Sequence, residues 1–92
     1  MDNVCKFIFN KAISKEEIEA KIALAIITAE CTFGQAKVRL NAAYFATDGK
    51  VVIDVSSDVG EHIAQVFTGL ATREMGEEAF TVERIRKELI KE

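Results

Sequence analysis

The chain is predicted to be an α+β protein, an antiparallel sheet carrying helices on one face. Three observations lead there: an Asp-Gly pair at 48–49 between two stretches of alternating hydropathy, a Ser-x-x-Glu signal at 14–17 opening an amphipathic helix, and a second amphipathic stretch from residue 57 to Gly76. A two-residue Asp-Gly loop tolerates the positive φ angles of a tight hairpin. The helical signals rest on capping and on apolar residues recurring every three to four positions.

The elements follow in order. Residues 4–10, "VCKFIFN", are β-branched and aromatic and read as a strand. Ser14 and Glu17 form a capping box, with Glu16 and Glu17 at the positive end of the helix dipole. Ile18, Ile22, Ala25, Ile26 and Ala29 share one face of this first helix, and Gly34 is its expected stop. Residues 36–47 and 50–57, "AKVRLNAAYFAT" and "KVVIDVSS", read as two hairpin strands. With Thr47 opposite Lys50, the pairs Ala46–Val51, Tyr44–Ile53 and Ala42–Val55 form one apolar face, continued by Leu40 and Val38. A slip of one residue would scramble that face.

Residues 57–76 form the second helix, with Val59, Ile63, Val66, Phe67 and Leu70 on its inner side. Gly69 lies inside it, at a cost of about 1 kcal/mol against Ala, and close approach of another backbone is the expected reason. After Gly76, a short strand near 79–83 is expected to run into a charged C-terminal helix. The resulting β-α-β-β-α-β order is that of a ferredoxin-like two-layer sandwich.

Composition bounds the rest. The 92 residues are 49% hydrophobic and 29% charged, with no proline and no linker-like stretch, so one domain over 1–92 is expected. The longest apolar run, residues 22–29, is far short of the roughly 20 residues of a membrane helix, and no membrane association is expected. No signal peptide is visible, which points to the cytoplasm. Cys5 and Cys31 lack metal-ligand spacing and read as reduced, small apolar side chains. A net charge of −3 argues against nucleic acid as the main partner.

The functions that such a sheet hosts have to be sought at their own sites. The first strand has aromatic Phe7 and Phe9, as an RNA-stacking sheet would, but "GKVVIDV" in the third strand has no aromatic to join them. Paired cysteines for thiolate metal transfer and a Gly-rich phosphate loop are both missing, and no cofactor or metal site is expected. The densest reactive group is "SSDVGEH", residues 56–62, with the single histidine. Asp58 and His62 are four apart on a helix, and with Asp54 they could form a catalytic or divalent-metal cluster. Asp58 with Glu61 also reads as a helix cap.

Two apolar surfaces exceed what an isolated domain needs. Ala20, Ala23, Leu24 and Ile27 line the back of the first helix, and a helix apolar all round is normally covered on both sides. On the open sheet face, Phe45 would sit across from Val52 with Ile8 beside them, inside a polar rim. The expected function is therefore association, as a homo-oligomer or with a protein partner. An enzyme using Asp54, Asp58 and His62 is the alternative, with RNA binding behind both.

Overall fold

The computed structural model describes residues 3–10, 13–47 and 49–86. In chain order the elements are β1 (Asn3–Phe9), α1 (Lys15–Phe33), α2 (Gln35–Asn41), β2 (Tyr44–Thr47), β3 (Lys50–Asp54), α3 (Asp58–Met75) and β4 (Phe80–Arg86), with one 3₁₀ turn at Glu77–Ala79. The strands form one sheet in the order β2-β3-β1-β4, every neighbouring pair antiparallel. The class is α+β as expected: a four-stranded antiparallel sheet with three helices among the described residues.

The hairpin register is the expected one. Thr47 faces Lys50, Ala46 faces Val51 and Tyr44 faces Ile53. Gly49 takes φ 76°, which L side chains rarely adopt, and its carbonyl accepts the Phe9 N–H at 2.8 Å. The hairpin is thus tied to the end of β1. Asp48 lies outside the described residues.

One sheet face is covered. Phe7, Phe9, Val51 and Ile53 point into a core with Ile18, Ile22, Ala25 and Ala29 of α1 and Val59, Ile63 and Phe67 of α3. Phe7 and Phe67 meet edge-to-face at 4.9 Å, and Phe9 lies 5.2 Å from Phe80. Such pairs add about 0.5–1.5 kcal/mol beyond their buried area. Of the inner faces predicted, Ile18, Ile22, Ala25 and Ala29 of α1 and Val59, Ile63 and Phe67 of α3 are buried. Ile26, Val66 and Leu70 are half-buried, and Ala64 and Ala71 are buried in α3 besides. Ser14 caps α1 by accepting the Glu17 N–H at 3.1 Å, and Gly34 ends it with its N–H on the Glu30 carbonyl.

Three expectations are corrected. Residues 35–41 form a helix rather than the first half of a hairpin strand, so the chain order is β-α-α-β-β-α-β. The alternation of Val38, Leu40 and Ala42 concealed a stretch of good helix formers, Ala36, Lys37, Arg39 and Leu40. Val38 is buried, whereas Leu40 turns outward and is 85% exposed.

The second correction concerns the C-terminal segment. Phe80–Arg86 is one continuous strand paired with β1 from Phe9↔Phe80 to Asn3↔Arg86, so residues 83–86 do not begin a charged helix. Pairing along the whole of β1 satisfies backbone groups that a helix would have left open on that strand's edge. The rest of the expected helix, from residue 87, lies outside the described residues.

The third concerns glycine. A Cβ at Gly69 would meet nothing within 4 Å, so no neighbouring backbone explains it. The close approach is at Gly60, where a Cβ would fall 1.8 Å from the Asp54 carbonyl oxygen and 2.9 Å from its carbon. Only hydrogen fits where the first turn of α3 presses on the end of β3.

Candidate functional site

The junction from Asp54 to His62 is built by that close packing. Asp54 ends β3, and its Oδ1 accepts the Ser56 amide at 2.9 Å and the Ser56 hydroxyl at 2.5 Å. Burial raises the Asp54 carboxyl's pKa, but these two bonds outweigh it and hold the group below its ordinary value. Ser57 caps α3, its Oγ accepting the Gly60 N–H at 3.1 Å. The cap is therefore Ser57 rather than Asp58.

Asp58 and His62 are on the same helix but engage different neighbours. Lys37 Nζ of α2 donates to Asp58 Oδ2 at 3.3 Å and also sits 4.9 Å above the Phe33 ring. The His62 ring meets the same phenylalanine edge-on, 5.4 Å between centroids. His62 Nε2 lies 3.4 Å from Thr28 Oγ1. The Thr28 hydroxyl already donates to the Ala25 carbonyl at 2.8 Å, so it can only accept from His62. In that arrangement Nε2 is the donor and the ring's lone pair is on Nδ1.

Asp54, Asp58 and His62 are thus turned to Ser56, to Lys37 and to Thr28 with Phe33. The structure does not bring them together as a catalytic cluster. Among the described residues, no three His, Cys, Asp or Glu side chains are placed to hold a metal ion. The thiols are also apart: Cys5 is buried under the sheet and Cys31 is exposed on α1. Burial pushes the Cys5 thiol's pKa up, nearby Arg84 pulling it down and Glu61 adding to the rise. It is a protonated, poorly nucleophilic group at neutral pH. Arg84 itself pairs with Glu61, tying β4 to α3.

The aromatic platform of an RNA-stacking sheet is missing where it would be needed. Phe7 and Phe9 are 0% and 6% exposed and face the helices. The outward residues of β3 are Lys50, Val52 and Asp54, as the pairing of Val52 with Phe45 and Lys6 requires.

The two apolar surfaces read from the sequence are exposed to solvent. Leu24 and Ile27 are 46% and 52% exposed, and Ala20 and Ala23 are exposed beside them. On the outer sheet face Phe45 is 62% and Ile8 42% exposed, with Val52 partly covered between them. Sequence reasoning did not include Val4 and Ile85, which stand opposite each other on this same face. Reading Ile85 as helical hid that pairing. No helix among the described residues is long and apolar enough to cross a membrane.

Compared with known protein families and with curated proteins, the chain matches none. Its own surfaces carry the functional reading.

Proposed function

We propose that this protein works by self-association, as a homodimer formed through the outer face of α1. The observation that carries the reading is the four-residue apolar stripe of Ala20, Ala23, Leu24 and Ile27, exposed at the middle of a 19-residue helix. At about 100° per residue these positions share an arc opposite Ile18, Ile22, Ala25 and Ala29. An isolated globular domain leaves such an arc polar.

A second copy fits the stripe because the stripe complements itself. A two-fold axis at the helix centre would lay Ala23 against the partner's Leu24 and Ala20 against the partner's Ile27. Each large side chain then meets a small one, which lets the two helices approach closely. A closed two-fold contact of this kind uses one patch on both subunits. A single helix pair buries less than the ~800 Å² per partner of a standard interface. The dimer is therefore reversible, with Kd about 10 μM.

Around that contact we read the chain as a ferredoxin-like sandwich with α2 inserted after the first helix, supported by the β2-β3-β1-β4 order. The cytoplasm is its proposed location, supported by two unpaired thiols, one of them exposed.

Sedimentation velocity between about 1 and 200 μM tests the reading, with a monomer–dimer shift centred near 10 μM. Leu24→Glu should abolish the shift and leave the melting temperature of the dilute protein unchanged. A wild-type monomer throughout that range, or a dimer untouched by Leu24→Glu and lost in Phe45→Glu, would overturn it in favour of no contact or of the sheet face.

A further inference from the structure

A cavity of about 590 Å³ opens at one corner of the sheet, its described lining including Lys6, Ile8, Ile13, Lys15, Gly49 and Lys50. It reaches α1 only at its first residue, Lys15, and none of the stripe residues Ala20, Ala23, Leu24 and Ile27 lines it. We propose that this cavity binds a small amphipathic organic anion, an alkyl or aryl group carrying a carboxylate or phosphate head. Lys6, Lys15 and Lys50 would hold the head, and Ile8 and Ile13 the apolar body.

The charge is the first argument. The whole chain is acidic at −3, yet among the described residues the cavity lining includes three lysines and no Asp or Glu. Ile8 stands opposite Lys50 in the β1–β3 register and Val52 opposite Lys6, so the two lysines are diagonal neighbours on the outer sheet face. Like charges on such neighbours repel. Neither lysine makes an ion pair with a described residue, although Glu83 is opposite Lys6 across β4. Lys15 reaches Glu19 only at 3.9 Å, with both side chains about half exposed. A bound anion would supply the two lysines with the ion pair that no described residue makes to them.

Size and lining set the ligand class. The volume is about twenty times the ~30 Å³ share of a water molecule and within the ~300–1,000 Å³ range of small-molecule sites. A bare inorganic ion would leave most of it empty beside the apolar side chains of Ile8 and Ile13. Ammonium groups act as point charges without the fork that arginine offers a planar head. They therefore select for charge, and carboxylate and phosphate heads are both accepted. The start of α1 adds little, since the Ser14 hydroxyl already caps the Glu17 amide.

Amide chemical shifts followed during titration test the site on the full chain, with four probes: octanoate, octyl phosphate, octanol and inorganic phosphate. Octanoate or octyl phosphate should shift the Ile8, Ile13 and Gly49 amides with Kd below about 1 mM. Octanol and inorganic phosphate should bind at least about tenfold more weakly. Lys50→Glu should weaken the anion by about tenfold or more. Lys6→Gln should weaken it less, and Leu24→Glu should leave it unchanged. Equal binding of octanol would reduce the site to an apolar groove, and equal binding of inorganic phosphate to an adventitious ion only. Either result, or undisturbed amides at all three positions, would overturn the proposal. Should Lys50→Glu fail to fold, Lys15→Ala gives the same reading from a residue outside the sheet.

Discussion

The two glycines of α3 occupy opposite environments. At Gly60 the helix is pressed onto the end of β3, and an added Cβ would overlap the Asp54 carbonyl at 1.8 Å. At Gly69 the same helix faces open space. One glycine is required by what lies beside it, and the other only loosens the helix. The difference shows that the start of α3 meets the backbone of β3 directly, whereas its middle reaches the sheet through side chains such as Phe67 on Phe7. Three residues, Val55 to Ser57, are all that separate β3 from α3, so this contact also sets the direction in which the helix leaves.

The largest effect is expected from Gly60→Ala. The overlapping atoms are backbone and cannot rotate away, so the cost should be about 3 kcal/mol or more, seen as a lower urea midpoint. Ser57→Ala removes the cap of the same turn without adding volume, and about 1 kcal/mol should be lost. Gly69→Ala should act in the opposite direction, stabilising by about 0.5–1 kcal/mol through a stiffer helix. If Gly69→Ala destabilises and Gly60→Ala does not, the assignment of the two environments is wrong.

The smallest effect is a pH dependence at the junction. The Asp54 carboxyl is depressed, so its contribution is complete above the unfolded value near 3.9 and is lost as pH falls through the lower folded value. Asp54→Asn should cost about 0.5 kcal/mol at neutral pH, discounted for a group open to solvent. It should also flatten the acid limb of a melting-temperature profile below about pH 4. An unchanged acid limb would mean that the Ser56 bonds contribute nothing to folding.

Much of this fold could be read directly. The inner faces of α1 and α3 and the hairpin register follow from local periods and from one turn dipeptide, and these signals act over a few residues. The stretch from Gln35 to Asn41 misled because seven residues suffice for two helical turns but also carry a period of two. Tertiary packing of Val38 decided between them. The C-terminal strand was legible only as far as residue 83, because the partner that extends it, β1, is about seventy to eighty residues away in sequence.

The functional reading divides in the same manner. The Asp58–His62 spacing was correct as helix geometry, but Lys37 was hidden in the misread segment and captures Asp58. The lysines at 6, 15 and 50 form no linear motif at all. Topology alone gathers them, by placing β1 beside β3 and the start of α1 at the same corner.

β4 has a consequence for behaviour in concentrated solution. It is an edge strand of seven residues, and among the described residues nothing pairs with its far side. Val82 and Ile85 are 45% and 47% exposed along it. A long, flat, apolar edge is a template on which further strands grow into fibrils. Here Glu83 and Arg84 interrupt the apolar positions on opposite faces, and any strand docking there would have to desolvate both. These two charges act as gatekeepers against aggregation.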